Sequence, residues 1–172
     1  TEPVRVPRWV RGRESAEIIA PSRHSLVILG LGGSVGTPAE GIEAEVLVVS
    51  SFEDLRARSA DVKGRIVLFN ALFTTYGDTV KYRTGGARAA SQLGAVAALV
   101  RSVGPTGLRT PHTGGLQYGQ GVAPPIPAAS VATEDADRIA RLRARGVPVR
   151  VRLTMEARAE ADVESANVIG EI

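Results

Sequence analysis

The chain has 172 residues, 44% hydrophobic and 23% charged, and its 21 Lys plus Arg against 18 Asp plus Glu leave a formal net charge of +3. That length suits one domain and that balance excludes an intrinsically disordered segment; the slight positive excess, dispersed and without interleaved aromatics, excludes a nucleic-acid surface. Cysteine is absent, which excludes disulfides and thiolate metal sites, and no apolar run reaches the ~18 residues that cross a bilayer, so no membrane partner is implied.

Residues 1–25 are rich in Arg and Glu, include Pro3, Pro7 and Pro21, and read as an extended lead-in segment. Leu26 to Leu29 is a short apolar strand that runs into an irregular glycine loop from Gly30 to Pro38. Glu45 to Ser51 is β-branched and reads as a strand, Phe52 to Ala60 as a short helix, and Ile66 to Asn70 as a buried strand after the Gly64 turn. A helix is predicted from Thr79 to Leu93, with Ala87, Ala90 and Leu93 at helical spacing and Gly94 as its stop; Ala95 to Val100 then forms the second strand of a βαβ unit.

Gly104 to Pro127 holds five of the ten prolines and six glycines, too long and too irregular for a simple connection. After a strand at Ala128 to Val131, Thr133 is placed to cap a helix that opens with Glu134 and Asp135 and ends near Gly146. Val149, Val151, Leu153 and Met155 alternate with polar residues as a half-buried strand. Residues 157–165 read as a polar connector, and Asn167 to Ile172 as a strand just beginning, either frayed or paired opportunistically. The chain starts at Thr1 and its only Met is Met155, so it is expected to be a processed or excised piece with something following it.

Three patterns invite chemistry. Gly32-Gly33-Ser34-Val35-Gly36 matches a serine-hydrolase nucleophile elbow, but Thr37-Pro38 follows where a helix should start, and His112 is the only later histidine. Val35 occupies the place of a third glycine, so the loop fails as a phosphate cradle, and Gly32, Gly33, Gly36 and Gly94 are assigned as structural turns. His24 and His112 are the only histidines, too few for a histidine-built metal site; no metal and no catalytic residue is assigned to this chain. The remaining candidate surface is Pro111, His112, Thr113 and Gly114 in the long loop, with His112 and Thr113 expected to project outward.

Trp9 to Glu17, Leu29 to Pro38, Tyr82-Arg83-Thr84-Gly85-Gly86-Ala87, Arg101-Ser102-Val103, Thr110 to Gly114, Ile126 to Ala128, Thr133 to Ala136 and Asn167 to Ile172 together resemble the protease-associated domain of carboxypeptidase Q-type zinc peptidases. The resemblance implies an α/β or α+β fold: a mixed, open, barrel-like sheet of about six or seven strands flanked by two main helices, with the domain at residues 26–156. It implies a non-catalytic domain that shapes access to a peptidase cleft, with two zinc ions held in an absent catalytic domain. The implied partners are that peptidase domain, short peptide substrates and a second copy in a homodimer, in a secreted, periplasmic or extracellular setting. An autonomous peptide-binding module is the alternative, and a serine hydrolase using Ser34 a remoter one.

Overall fold

A computed structural model describes residues 1–119, 121 and 123–170. The strands are β1 (Glu2–Val10), β2 (Glu14–Ala20), β3 (His24–Leu26), β4 (Ile28–Gly30), β5 (Ile42–Val49), β6 (Ile66–Phe69), β7 (Ala97–Arg101), β8 (Ala128–Val131), β9 (Arg150–Met155) and β10 (Arg158–Asn167). The helices are α1 (Phe52–Ala57), α2 (Tyr76–Gln92) and α3 (Thr133–Ala144), with a single 3-10 turn at Ser59–Asp61.

One mixed sheet has the order β3-β2-β9-β5-β6-β7-β8-β4, and its edge strands β3 and β4 are separated in sequence by Val27 alone. The sheet therefore rolls until one bent segment serves both edges, pairing with β2 before Val27 and with β8 after it. Asp135 fixes that bend, because its Oδ2 accepts from the Val27 N–H at 2.8 Å while the Val27 carbonyl accepts from Ala132 N–H at 2.9 Å. The eight-stranded sheet confirms the mixed, barrel-like architecture with α2 and α3 as the main helices. It exceeds the expected strand count because the lead-in segment contributes β2 and the run at Leu26 divides at Val27.

Strands β5 to β8 are mutually parallel, and β6, β7 and β8 are wholly buried, as parallel strands covered on both faces must be. Alternate residues serve two cores. Val46, Ile66, Leu68, Ala97 and Leu99 pack with α3 and β9, whereas Leu47, Val67, Phe69, Ala98 and Val100 pack with α1 and α2. The small residues of α2 permit a close approach: a Cβ on Gly86 would lie 2.9 Å from the Phe69 ring.

Three local expectations are corrected. Ala132, not Thr133, is the cap of α3 and makes no side-chain bond there; Thr133 is the first helical residue and its hydroxyl donates to Glu134 at 2.9 Å. Helix α2 begins at Tyr76, capped by Thr75, three residues before Thr79. The segment expected as a polar connector is most of strand β10, which pairs antiparallel with β1 as a separate two-stranded ribbon from Glu2↔Asn167 to Val10↔Arg158. Of the closing run, Glu171 and Ile172 lie outside the described residues.

Candidate functional site

Because β5 to β8 run in one direction, their carboxyl ends lie along one edge of the sheet, where parallel folds collect their working groups. The loops at 70–75 and 102–127 both leave from this edge. Among its described residues the second loop has no helix or strand, yet it is held at many points. His112 N–H donates to Ser102 Oγ at 2.7 Å and Thr113 Oγ1 to the Gly30 carbonyl at 3.0 Å. Gly32 N–H donates to the Gly114 carbonyl, Leu116 N–H to the Gly32 carbonyl and Gln117 N–H to the Thr84 carbonyl, each at 2.9 Å.

The assigned loop residues therefore divide. His112 is exposed, but Thr113 is half-buried and turned back onto Gly30, so only one of the two projects outward; the Thr113 hydroxyl donates to the carbonyl at the end of β4, which Arg11 also reaches at 3.3 Å. Gly114 is a point of close approach: a Cβ there would fall 2.6 Å from Cζ of Arg83. Pro111 is half-buried beside His112.

Sequence reasoning missed the residues around His112. Arg83, on α2, donates from Nη2 to the Tyr76 hydroxyl at 2.7 Å, and its Nη1 lies 3.3 Å from His112 Nδ1. Its guanidinium also lies 5.5 Å from the centre of the Tyr76 ring, and that ring meets His112 edge-on. The spacing Tyr76…Arg83, two helical turns apart, was the available signal, but it needed the correct start of α2.

Apolar side chains continue this edge. Leu72, Phe73 and Tyr76 are exposed by 67%, 37% and 51%, and a depression of about 340 Å³ lies between Leu72, Phe73, Arg101, Gly104, Pro105 and Thr106. Leu108 is 97% exposed at a tip where it and Arg109 both take positive φ, 61° and 48°. Glu134 Oε1 accepts from Gly107 N–H at 3.0 Å and Arg109 N–H at 3.3 Å, and Arg109 also reaches Asp135 at 2.9 Å and the Ser25 carbonyl at 2.7 Å. The Glu134 carboxyl is held below its ordinary value, first by its own backbone N–H and then by Thr133, Arg109 and Gly107. These contacts over-determine a strained tip that presents one leucine to its surroundings.

Ser34 is committed to structure. It is buried, its hydroxyl donates to the Val35 carbonyl and accepts from Ala128 N–H, both at 2.9 Å, and neither histidine is its partner. His24 instead pairs with Asp135 at 3.3 Å. No helix follows Ser34, so the elbow pattern is a turn: Gly33 has positive φ and Gly36 approaches the Met155 carbonyl too closely for a side chain. Among the described residues no three His, Cys, Asp or Glu converge as a metal site, and none of the helices there is long and apolar enough to cross a membrane. A larger depression of about 610 Å³ follows the seam between β2 and the β3–β4 bend, but its charged residues already have partners: Glu17 with Arg23, Arg152 with Glu43, and Glu14 with Gly30 N–H.

The rolled mixed sheet, its two apolar cores and the structural Ser34 define a small mixed α/β domain with a loop-built edge. The PA domain family model matches residues 26–139, and the chain belongs to that family. It is 51% identical to carboxypeptidase Q of Xenopus laevis over 99% of this chain but only 36% of that protein. Among solved structures it resembles a peptidase M28 precursor from Shewanella amazonensis, with a TM-score of 0.89 and 34% identity over 95% of this chain and 38% of the other. It shares its fold with a zinc aminopeptidase from Bacillus subtilis, with a TM-score of 0.60 and 16% identity over 94% of this chain and 35% of the other. The chain thus spans little more than a third of the relatives it matches.

Proposed function

We propose that this PA domain is the non-catalytic part of a longer zinc peptidase that acts on short peptides outside the cell or in a periplasm, and that the edge around His112 faces the peptidase cleft. The observation that supports the reading most is that exposed apolar side chains, Leu72, Phe73, Tyr76 and Leu108, lie on the segments that leave the carboxyl ends of the parallel strands, with Tyr76 against His112. Exposed apolar groups gathered at one edge are the mark of a surface that meets something. The similarity to carboxypeptidase Q and to the M28 precursor, with most of each lying beyond the matched region, supports the peptidase domain of the same polypeptide as that partner. The zinc aminopeptidase of like fold supports zinc in that domain, where the metal would activate water for peptide hydrolysis. This domain does no chemistry itself; it narrows and lines the approach.

The test is kinetic, in the full-length protein. Leu108→Asn keeps a residue that tolerates positive φ while removing the exposed apolar side chain, and His112→Ala removes the exposed ring. Each is expected to change KM or kcat on short peptides by about threefold or more while the melting temperature moves by no more than about 2 °C. Unchanged kinetics in both variants rejects the reading. If the edge meets a second copy of the chain instead, Leu108→Asn shifts the oligomeric state and leaves per-subunit kinetics alone.

A further inference from the structure

We infer that the groove between α1 and the last three turns of α2 is a docking site for an acidic amphipathic helix of a separate protein. Two adjoining depressions, of about 450 and 220 Å³, make up the groove and share Phe52, Arg56, Ala89 and Gln92. Its α2 wall runs from Lys81 to Gln92, about 16 Å at the helical rise per residue, a length that three turns of a partner helix would cover. Helix α2 meets His112 only through Tyr76 and Arg83 near its start, so this site is separate from the loop edge and does not rest on the cleft-facing reading.

Charge identifies the occupant. No carboxylate lines either depression, whereas Arg56, Lys81 and Arg88 all do, and all three are exposed. Arg8, Arg13, Arg65, Arg143 and Arg152 each pair with a carboxylate of another segment of this chain. Among the described residues neither Lys81 nor Arg88 has a carboxylate within salt-bridge distance. The Lys81 ammonium lies 5.3 Å from the centre of the Tyr82 ring, and a Cβ on Gly119 would lie 3.2 Å from Nη1 of Arg88. Arg56 has only Glu53, at 2.8 Å on its own helix, and both are so exposed that the pair is weak and easily exchanged. Three cations around a groove that holds no anion complement an acidic partner.

The floor shows what else the partner carries. Phe52, Ala89 and Leu93 are half-buried and line it, so apolar anchors belong between the carboxylates. Gly85 leaves that floor open. A Cβ there would meet nothing closer than Cζ of Phe52, at 3.8 Å, an ordinary contact, whereas one on neighbouring Gly86 would strike the Phe69 ring at 2.9 Å. Packing within the domain therefore explains Gly86 but not Gly85, although glycine weakens a helix interior. Both walls are helices whose backbone groups are already paired, which rules out strand addition and leaves a helix laid in the groove, with anchors at i and i+4. A second copy of this face is the wrong occupant, because it would set Lys81 and Arg88 against like charges.

The test uses the full-length protein and two synthetic peptides: a helix with Leu at i and i+4 flanked by Glu, and its counterpart with Lys at every Glu. Fluorescence anisotropy should show the acidic peptide binding about 10-fold or more tightly than its counterpart, with an affinity that falls as salt rises. Gly85→Leu, which fills the groove, should weaken the acidic peptide by about 10-fold or more without lowering the melting temperature. Lys81→Glu combined with Arg88→Glu should turn the preference round, and binding of the Lys peptide would itself show that this variant is folded. Wild-type protein that binds both peptides alike overturns the inference, as does a charge-reversed variant that keeps the original preference. Binding of neither peptide also overturns it, as when the peptidase domain of the same polypeptide already covers the groove. If Gly85→Leu instead converts a dimer to a monomer in sedimentation, the groove is a contact between copies and the inference falls.

Discussion

Glu14 shows how one buried carboxylate can tie stability to pH. Both its oxygens accept from Gly30 N–H, at 3.0 and 2.9 Å, and the side chain is only 11% exposed. Burial pushes its pKa above the ordinary 4.5, and the Gly30 bond and Arg11 offset only part of that. The folded state therefore holds this proton more tightly than the unfolded state does. The group's favourable contribution is complete below 4.5 and is lost as pH rises through the raised value. Glu14→Gln, which keeps an acceptor for Gly30, should gain stability relative to wild type as pH climbs from about 4 towards 7, and denaturant titrations at several pH values would show it. A constant difference across that range would show that Glu14 titrates alike in both states. Gly86 poses a contest of a different kind. Alanine is the better helix former by about 1 kcal/mol, but its Cβ would sit 2.9 and 3.0 Å from atoms of the Phe69 ring, which is fully buried and packed against Phe52 and Tyr82. Overpacking of that sort costs about 1–3 kcal/mol, so Gly86→Ala should destabilise the domain in calorimetry despite its propensity.

Helix α2 carries both Tyr76 and Arg83, whose contacts place them beside His112 at the loop edge. Thr75 starts it, accepting from Asp78 N–H at 3.2 Å and donating to the Asp78 carboxylate at 2.6 Å. Thr75→Ala should cost about 1 kcal/mol in global stability and loosen the turn that bears Tyr76. A melting temperature unchanged by the substitution would show that tertiary packing alone fixes the helix start. The core of α2 was legible in the sequence, from Ala87, Ala90 and the Gly94 stop with its positive φ, because small residues at helical spacing facing a sheet have one simple explanation. Its first turn was not, since Tyr76-Gly77-Asp78 lacks apolar periodicity and only the Thr75 and Asp78 exchange marks it. Strands β5 to β8 were legible for the same reason that they are buried: short apolar runs, entered after a glycine or, for β8, a proline. The His112 loop could be found from its Pro and Gly content. Which of its residues face outward could not, because the decisive contacts, Thr113 to Gly30 and Gly114 to Arg83, join residues dozens of positions apart. Ribbon strands β1 and β10 escaped reading as a pair because their alternation is short and built on small or mostly exposed residues, β1 carries Pro3 and Pro7, and the two partners lie at opposite ends of the chain.

At the scale of the whole molecule that ribbon is the part least tied to the rest. Strands β1 and β10 pair with each other and with no strand of the eight-stranded sheet, and β10 is exposed along nearly its whole length. Two-stranded ribbons are marginal in water on their own. What anchors this one is its base, where Trp9 packs on the core shared by β9 and α3 and donates from Nε1 to the Ser34 carbonyl at 2.8 Å. Beyond Trp9 the strands are joined by the ladder, the Arg8–Glu160 pair at 3.0 Å, and the facing of Val6 on Val163. Opening of the far end, from Glu2 to Val6 and from Val163 to Asn167, therefore leaves both apolar cores intact. Hydrogen exchange should show those amides exchanging by local opening, at rates insensitive to mild denaturant, while β5 to β8 exchange only with global unfolding. Trp9→Phe keeps a ring but loses the N–H, so it should speed exchange throughout the ribbon while changing global stability by about 1 kcal/mol. Because Glu2 and Asn167 are neighbours, a flexible ribbon would let the domain tilt as a unit on paired strands, moving the His112 edge relative to whatever it faces. Core-like protection of the ribbon in the full-length protein would instead show that another part of the polypeptide, or a second copy, clamps it, and the domain would then be fixed in orientation.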